Sequence, residues 1–270
     1  MLLYPLLALK SLAPNKALKV FFNRCMVGVG EAWISINNFN LRITQNIQWD
    51  IQGLEGLSTE HSYLILVNHQ SWMDIVILQH FLNRKVPFIR FFLKKELIYV
   101  PLLGGAWWAL DFPFMKRYSL KELRQNPEKR REDFETAKQV GIKFRQSSVS
   151  ILSFLEGTRF TKFKHETQKS PYVNLLVPKV GGISAVLQGM GENFHSVLDI
   201  TIVYPEGVVS LMQTFMGKLH HIKVLVRQLP VPVQLISGDY FNDPNYRQNL
   251  QSWVRGIWTE KDQIISDLKK

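Results

Sequence analysis

Short apolar runs alternate with longer amphipathic segments along most of the chain. Two of these runs, "YLILVN" (Tyr63–Asn68) and "SVSILSFLE" (Ser148–Glu156), are largely apolar throughout, a pattern typical of strands buried on both faces. A late segment, "KLHHIKVLVRQL", alternates apolar and polar residues as a half-buried strand does. The strands predicted from these patterns are Ile47–Gly53, Tyr63–Asn68, Val86–Lys94, Ser148–Glu156, Val197–Pro205 and Lys218–Leu229.

Helices are predicted between these strands from capping residues and helical periodicity. Ser71 is a typical N-cap, and Pro127, after Asn126, is a typical first helical residue. The predicted helices cover Trp72–Leu82, Pro127–Gln146, Gly182–Gly191 and a closing segment that starts at Asp243-Pro244. The closing helix has an apolar stripe of Tyr246, Leu250, Trp253, Val254, Ile257, Trp258, Ile265 and Leu268. Strands that alternate with helices predict an α/β fold with a mostly parallel sheet flanked by helices on both sides.

The amino-terminal segment has apolar runs that basic residues and Pro14 interrupt. None of these runs reaches the roughly 18–20 residues of a membrane-spanning helix, and the basic start and cleavage site of a secretory signal are missing. An amphipathic helix that lies on a bilayer and one that packs on the domain fit equally well. The residues concerned are Leu18, Phe21, Phe22, Val29 and Trp33, with Lys16, Lys19 and Arg24 beside them. We assign residues 1–40 to an N-terminal membrane-associating helical segment and residues 41–270 to a single α/β domain.

The chain of 270 residues is strongly basic, with a formal net charge of +11 and a pI of about 9.7. Such a surface suits nucleic acid, an anionic membrane, or acidic substrates and carrier proteins. The basic cluster "KRRED" (Lys129–Asp133) contains acidic residues, and no zinc-finger spacing or basic tail accompanies it, which argues against nucleic-acid binding. The single cysteine, Cys25, excludes an internal disulfide framework and a cysteine metal cluster. The histidines show no ligand spacing with carboxylates, so no metal is expected.

The apolar run Tyr63–Asn68 is followed directly by His69, and Asp74 comes five positions after that histidine. One interpretation is a capping box, in which Ser71 and Asp74 bind amides at the helix start. The other is a catalytic pair, because a carboxylate in the first helical turn can reach a histidine ring in the preceding loop and leave its second nitrogen free to accept a proton. No serine in a G-x-S-x-G elbow occurs, so His69 would have to activate a hydroxyl of the substrate.

Three further blocks, "FLEGTRF", "FMKRY" and "VPKVGG", place polar residues at the ends of apolar runs. In the first block, glycine allows a ligand to approach closely and arginine matches the geometry of phosphate. In the third, a lysine precedes paired glycines at a predicted helix start, a natural anion site. Taken alone, a strand-to-loop turn with a surface salt bridge explains the first block equally well, and a solvated charge explains each single basic residue better. Together with the His–Asp pair, the blocks suit a phosphorylated hydroxyl acceptor. The residues concerned are Glu156, Gly157, Thr158, Arg159, Lys116, Arg117 and Lys179.

These blocks, in this order, resemble those of the glycerolipid acyltransferases. "NHQSWMD" has their H-x-x-x-x-D spacing, "EGTR" resembles their second signature, and the match extends from about Ile47 to Leu229. The stretch "EGTRFTKFKHE", continued by "LLVPKVGG", looks especially like the 1-acylglycerol-3-phosphate and lysocardiolipin acyltransferase branch. The resemblance implies that His69 is the general base and Asp74 its orienting partner. It also implies an acceptor site for phosphate and glycerol made by Arg117, Glu156, Gly157, Thr158, Arg159 and Lys179.

Two places depart from the family pattern. The basic block usually has an aspartate where this chain has Lys116, and the last block usually has a proline in the strand where this chain has Asp199 and Thr201. Both departures are expected where the acceptor head group should lie. They leave the reaction type unchanged and the identity of the acceptor open.

The resemblance implies an O-acyltransferase that moves a fatty acyl group from acyl-CoA or acyl carrier protein to the free hydroxyl of a lysophospholipid. The acceptor expected first is 1-acylglycerol-3-phosphate, in phospholipid biosynthesis or remodelling. Lysophosphatidylglycerol, a lysocardiolipin-like acceptor and a non-catalytic lipid-binding role remain alternatives.

The expected partners are the two substrates and an anionic membrane surface, with acyl carrier protein as one candidate donor and no nucleic acid. No cofactor is expected besides the acyl donor. The expected location is the cytoplasmic face of a membrane, the bacterial inner membrane or an equivalent.

Overall fold

The computed structural model of the chain describes residues 2–116, 118, 126 and 128–270, so Pro127 lies outside the described residues. Its strands are β1 (Gln48–Gln52), β2 (Ser62–Val67), β3 (Ile89–Phe91), β4 (Leu93–Lys94), β5 (Phe114–Met115), β6 (Ser150–Phe154), β7 (Phe194–Val203) and β8 (His221–Leu229). Its α-helices are α1 (Leu3–Leu12), α2 (Lys16–Thr44), α3 (Met73–Leu82), α4 (Leu103–Ala109), α5 (Glu128–Phe144), α6 (Lys162–Gln168), α7 (Gly181–Met190), α8 (Leu211–Phe215) and α9 (Pro244–Leu268).

The main sheet has six strands in the order β1-β8-β7-β2-β6-β3. All neighbouring strands run parallel except β7 and β8, which are antiparallel. The prediction of a mostly parallel sheet flanked by helices is therefore confirmed. Because β2 and β6 are parallel neighbours, the residues that follow them, His69 and Glu156, emerge at the same edge of the sheet. Ligands of parallel sheets bind at this edge, beyond the carboxyl ends of the strands.

Strand β2 lies in the interior of the sheet, and all of its residues are buried. Tyr63, Ile65 and Val67 pack in a core that also contains residues of α2 and α3. Leu64 and Leu66 point the other way, into a second core with residues of α5, α7 and α9. The run "YLILV" is continuously apolar because both faces of this strand are covered by helices.

The predicted strand Val86–Lys94 is wrong in its extent. The chain contributes β3 (Ile89–Phe91) to the edge of the main sheet and then β4 (Leu93–Lys94) to a separate two-stranded sheet with β5. The break follows from hydrogen bonding, since the amide of Leu93 donates to the carbonyl of Pro113 (2.8 Å) instead of continuing along β6. An apolar pattern alone does not reveal such a change of partner.

The amino-terminal segment forms α1 and α2, which contact each other, and the side chain of Asn15 caps α2 by accepting from the amide of Leu18 (2.9 Å). One side of α2 is buried through Met26, Gly30 and Ile34. The packing at Gly30 is close, because a Cβ atom there would lie 3.0 Å from the ring of Phe88. Helix α2 continues to Thr44, past the proposed boundary at residue 40, and the division into segment and domain stays a prediction.

The opposite side of α2 exposes large apolar side chains at helical spacing, namely Trp33, Ile36, Phe39 and Ile43, each at least 54% exposed. Leu18 and Phe21 are exposed as well, whereas Phe22 and Val29 are partly covered. One side of α2 therefore packs on the domain, and contact of its exposed side with a bilayer stays a prediction. Among the helices described, none combines the length and the apolar composition that crossing a bilayer requires.

Helix α9 closes the fold and buries most of the predicted stripe. Tyr246, Leu250, Val254, Ile257, Trp258 and Ile265 are buried, and Trp253 and Leu268 are partly covered. Asp243 caps the helix, as expected from the sequence, by accepting from the amides of Asn245 and Tyr246. The stripe also contains a charged residue that the apolar pattern did not include, the fully buried Lys261.

Candidate active site

The position of His69 is set by the residue before it. Asn68 is fully buried, and its side chain donates to the carbonyl of Ile202 (2.9 Å) and accepts from the amide of the same residue (2.9 Å). This pair of bonds extends the contact between β2 and β7 one residue past the end of β2. The carbonyl of His69 then accepts from the amide of Phe160 (2.7 Å), which joins the loop after β2 to the loop after β6.

The ring of His69 contacts the carboxylate of Asp74, with 2.8 Å between Nδ1 and Oδ2. The same Oδ2 accepts from the amides of Gln70 (2.7 Å) and Ser71 (2.9 Å), while Ser71 Oγ accepts from the amide of Met73 (3.2 Å). Asp74 therefore binds the helix start, as a capping residue does, and holds the histidine ring at the same time. The two interpretations of the sequence are compatible in this geometry.

Tyr204 is a third member of this group that the sequence did not suggest. Its hydroxyl donates to Asp74 Oδ1 at 2.6 Å, and its side chain is buried at the carboxyl end of β7. Burial first, and the neighbouring Asp74 second, hold the pKa of Tyr204 well above its usual value, so the hydroxyl keeps its proton. With both oxygens of Asp74 occupied, the carboxylate is fixed from two sides.

The other ring nitrogen of His69, Nε2, has no protein hydrogen-bond partner in the described part of the chain. The ring stacks on Phe154 with 4.0 Å between centroids and 20° between planes, and 17% of the His69 side chain is exposed. Nε2 is therefore the atom available to a ligand. Since Nδ1 faces a buried carboxylate, the arrangement favours the tautomer with its proton on Nδ1 and a free acceptor at Nε2.

Glu156 lies beneath the site. Its Oε1 accepts from the amide of His69 (2.9 Å), its Oε2 accepts from the amide of Leu176 (3.1 Å), and its side chain has no exposed surface. Desolvation raises the pKa of Glu156 to about 7, and the two amide bonds oppose that rise. The expected contact with the acceptor is not supported by this geometry, because both oxygens are used to hold the backbone of the site.

The rest of the Glu-Gly-Thr-Arg loop turns toward solvent. Gly157 has a φ of +68°, which favours glycine, and its amide donates to the carbonyl of Phe154 (2.9 Å). Thr158 accepts from the ammonium of Lys164 at 2.7 Å. The guanidinium of Arg159 lies 4.3 Å from the centre of the Trp72 ring, and no described ion pair includes it. The loop therefore presents a cation beside His69 that an anionic ligand can reach.

Lys179 approaches the same loop from the segment before α7. Its side chain lies along Gly157, where a Cβ atom would meet Lys179 Nζ at 3.3 Å, and the lysine is exposed. A cavity of about 380 Å³, here called the inner cavity, opens beside Phe154, Gly157 and Lys179. Its apolar lining includes Leu64, Phe92, Ile151, Leu155, Ile183 and Val186. The His69 ring stacks on Phe154, which packs against the first core, whereas Leu64, Ile151 and Leu155 of the inner cavity belong to the second core on the other face of the sheet.

The basic block is described only in part. Lys116 forms an ion pair with Glu132, which raises the pKa of this lysine. Its positive charge is therefore balanced by a carboxylate of the protein itself. Tyr118 donates to the same carboxylate (2.6 Å). Arg117 lies outside the described residues. Of the predicted acceptor residues, the structure thus brings together Gly157, Thr158, Arg159 and Lys179 around the His69 loop, with Glu156 below them.

Comparison with known proteins decides the family. The family model described as Acyltransferase matches residues 48–205, more than half of the chain. The chain belongs to the Acyltransferase family. This result confirms the family that the sequence blocks suggested.

The relatives that this chain matches have low sequence identity to it. It is 23% identical over 221 residues to "Probable 1-acyl-sn-glycerol-3-phosphate acyltransferase 5" of Arabidopsis thaliana, covering 77% of this chain and 54% of that protein. It is 25% identical over 225 residues to "1-acyl-sn-glycerol-3-phosphate acyltransferase gamma" of Homo sapiens, covering 78% and 54%. The chain therefore spans about half the length of the curated relatives it matches.

A solved structure has the same fold as this family member. It is the 1-acyl-sn-glycerophosphate acyltransferase PlsC from Thermotoga maritima, with a TM-score of 0.51 and 18% sequence identity. The match covers 95% of this chain and 87% of that one. At this identity the likeness shows the shared fold.

The departures from the family pattern have a structural explanation that corrects one expectation. Asp199 does not lie at a head-group site; it is fully buried in β7 and pairs with Arg227 (2.7 Å) and with Lys261 (2.7 Å). Lys261 also donates to the carbonyl of Ile200, and it lies close to the hydroxyl of Thr201 (3.4 Å). The polar residues of β7 are thus matched by a charged residue on α9.

Proposed function

We propose that the chain is an O-acyltransferase that transfers a fatty acyl group from a thioester to the free hydroxyl of a lysophospholipid, with 1-acylglycerol-3-phosphate as the acceptor. The observation that supports this most directly is the 2.8 Å contact between His69 Nδ1 and Asp74 Oδ2, which leaves Nε2 available to a ligand. Arg159, on the loop joined to His69 through Phe160, belongs to no described ion pair. The family and the names of its relatives support the same reaction class.

In the proposed reaction His69 is the general base. Its Nε2 takes the proton of the acceptor hydroxyl while that oxygen attacks the thioester carbonyl carbon. The bond between carbon and sulfur then breaks, and the leaving thiolate receives the proton from His69, so no proton is gained or lost overall. Proton transfer by a positioned side chain typically contributes about 10²–10⁴-fold to the rate. Asp74 holds the ring and stabilises the imidazolium, and Tyr204 holds Asp74 in position.

The acceptor phosphate is proposed to bind Arg159 and Lys179. Arginine can meet a phosphate through two parallel hydrogen bonds, and Lys179 adds a second positive charge next to the open backbone of Gly157. Arg117 stays a predicted member of this group. Glu156 is proposed to act through the backbone it holds, as a positioning residue. Lysophosphatidylglycerol and a lysocardiolipin-like lipid remain the alternative acceptors.

The exposed apolar side of α2 is proposed to bind a membrane. Trp33, Ile36, Phe39 and Ile43 offer an apolar row, and the net charge of +11 favours anionic lipid. Flotation with neutral and with anionic vesicles at equal salt tests this placement. We expect clear enrichment on the anionic vesicles; equal binding to both kinds would contradict the charge contribution. The cytoplasmic side of the membrane stays a prediction.

The reaction is tested by incubating labelled acyl-CoA with a panel of lysophospholipids, using the wild type, His69→Ala and His195→Ala. His195 is an exposed histidine at the amino end of β7, the opposite edge of the sheet, and therefore a matched control. We expect acyl transfer by the wild type and His195→Ala and its near-complete loss in His69→Ala. Full activity of His69→Ala would remove the proposed base. A wild type that binds lipid but transfers no acyl group would favour a non-catalytic role.

A further inference from the structure

Helix α9 packs in the second core, yet its side chains hold the stretch of chain that precedes α7. The part concerned is residues 171–176, here called the connecting segment. The carboxylate of Asp262 accepts from the amides of Val173 (2.8 Å) and Asn174 (2.7 Å). The side chain of Asn174 donates in return to the hydroxyl of Ser266 (2.9 Å) and to the carbonyl of Asp262 (3.3 Å). The connecting segment is therefore fixed against α9.

The last residue of the connecting segment, Leu176, joins α9 to the site. Its carbonyl accepts from Nε1 of Trp258 (3.2 Å), and its amide donates to Oε2 of Glu156 (3.1 Å). The other carboxylate oxygen, Oε1, accepts from the amide of His69 (2.9 Å). Trp258, Leu176 and Glu156 have no exposed surface. A chain of three hydrogen bonds therefore leads from α9 to the backbone of the histidine, and bonds in such a buried chain strengthen one another.

Lys261 lies one turn after Trp258 on α9 and adds a positive charge to this region. It is fully buried and forms an ion pair with Asp199 (2.7 Å). Burial raises the pKa of Glu156 to about 7, the two amide bonds and the charge of Lys261 oppose this rise, and the charge of Asp74 adds to it. Lys261 therefore favours the ionised form of the carboxylate.

The charge of Glu156 decides whether it can hold both amides. An ionised carboxylate accepts hydrogen bonds on both oxygens. A proton on one oxygen would place an O–H group against an amide N–H, so that one of the two bonds would be lost. The backbone of His69 therefore depends on a carboxylate that stays ionised.

We propose that Trp258 and Lys261 are positioning residues for acyl transfer, because they keep Glu156 in place as an ionised acceptor for the amide of His69. Trp258 fixes the peptide that binds one oxygen of Glu156, and Lys261 supplies the charge that favours the carboxylate. This inference rests on the proposed function, since it concerns the base of that reaction. It extends the site to α9 (Pro244–Leu268), which follows the residues 48–205 matched by the family model.

Steady-state kinetics test the role of Trp258. Trp258→Phe keeps an aromatic ring in the core and removes the Nε1–H group. We expect kcat for acyl transfer to fall about tenfold, because a small misplacement of a catalytic group lowers the rate strongly. The KM for the lysophospholipid should stay unchanged. Trp253→Phe makes the same substitution at a partly covered position of α9 and should leave both constants unchanged. A normal kcat in Trp258→Phe would overturn the assignment.

Combination with Glu156→Gln separates positioning from a general loss of packing. In this background Trp258→Phe should lower kcat no further, because the acceptor through which it acts is already changed. Losses that multiply would show that Trp258 does not act through Glu156. Asp262→Asn, at a partly exposed position, weakens the hold on the connecting segment and serves as a second variant if Trp258→Phe does not fold. It should lower kcat about threefold in the wild-type background alone; any other pattern would refute the inference.

The pH dependence of kcat tests the role of Lys261. In the wild type, kcat should rise as Glu156 ionises near pH 7. Lys261→Met removes the positive charge, so the midpoint of this rise should move up by about one pH unit. Glu156→Gln should lack the rise. Lys85→Met removes a charge from an exposed lysine before the amino end of β3 and should keep the wild-type midpoint. The same midpoint in Lys261→Met would overturn its role.

Hydrogen exchange at the His69 amide tests the chain of hydrogen bonds without the reaction. This amide should exchange about tenfold faster in Trp258→Phe, whereas the amide of Leu66 in β2 should keep its rate. Faster exchange together with a wild type that transfers no acyl group would support this inference and refute the proposed reaction. An active wild type whose His69 amide exchanges at the same rate in Trp258→Phe would keep the proposed reaction and refute the inference.

Discussion

Replacing Tyr204 by phenylalanine removes a single hydroxyl from the centre of the site. That hydroxyl is the described donor to Asp74 Oδ1, at 2.6 Å, whereas the histidine and two amides all use Oδ2. The variant leaves Oδ1 buried without a partner. A hydrogen bond to a charged group contributes about 1.5–3 kcal/mol, so the free energy of unfolding should fall by this amount. Because the carboxylate can then rotate, the His69 ring loses part of its orientation, and kcat should fall roughly tenfold.

Urea unfolding and steady-state acyl transfer measure the two effects separately. Tyr246→Phe is the matched control, since its buried hydroxyl donates to the carbonyl of Leu235 (3.0 Å) in the other core. It should lower stability by about 0.5–1.5 kcal/mol, the usual contribution of a neutral hydrogen bond, with no change in kcat. Equal stability losses and unchanged kcat in both variants would refute the positioning role of Tyr204 and leave it as a structural residue only.

Four further substitutions have defined outcomes. Asp74→Asn keeps the size of the side chain and removes its negative charge, so kcat in the acyl-transfer assay should fall about 10²–10⁴-fold; a smaller loss would show that the carboxylate only caps the helix. Arg159→Lys should raise the KM for 1-acylglycerol-3-phosphate about tenfold while kcat holds, because lysine cannot make two parallel bonds to phosphate; an unchanged acceptor KM would exclude this arginine from the phosphate site. Glu156 binds its proton more tightly in the folded protein, since its pKa is raised to about 7, so the free energy of unfolding should decrease by about 3 kcal/mol as the pH rises from about 5 to 8. Urea titrations should show this slope in the wild type and its absence in Glu156→Gln; parallel pH profiles would contradict the shift. Lys261→Met removes one partner of a buried ion pair and should lower stability by about 3 kcal/mol, the low end of the usual range because Arg227 still pairs with Asp199; a loss near zero would mean that the arginine alone neutralises the aspartate.

Local patterns were sufficient for the buried central strands and for the His–Asp pair. The run "YLILV" reports burial on both faces of β2, and the five-residue spacing between His69 and Asp74 fixes their distance because both belong to one loop and helix start. These features depend on neighbours in the sequence, which a pattern of residues records directly.

Features that depend on distant partners were not predictable in this way. Tyr204 reaches Asp74 across 130 positions of the sequence. Glu156 looks like a ligand-binding residue in the loop pattern, yet its oxygens bind the amides of His69 and Leu176. In the sequence, Lys261 is only a charged residue within an apolar stripe, and its ion pair with Asp199 is visible only in the structure. In each case the decisive contact is made by tertiary packing.

The burial of one side of α2 has a practical consequence for work with this protein. Met26, Gly30 and Ile34 belong to the interior, so deleting the first two helices to improve solubility would uncover Phe88 and the core behind it. Polar replacements confined to the outer row of that helix would instead reduce aggregation and keep the interior closed. In the proposed membrane-bound state, the packing of α2 on the domain would also set the tilt of the His69 site relative to the lipid surface.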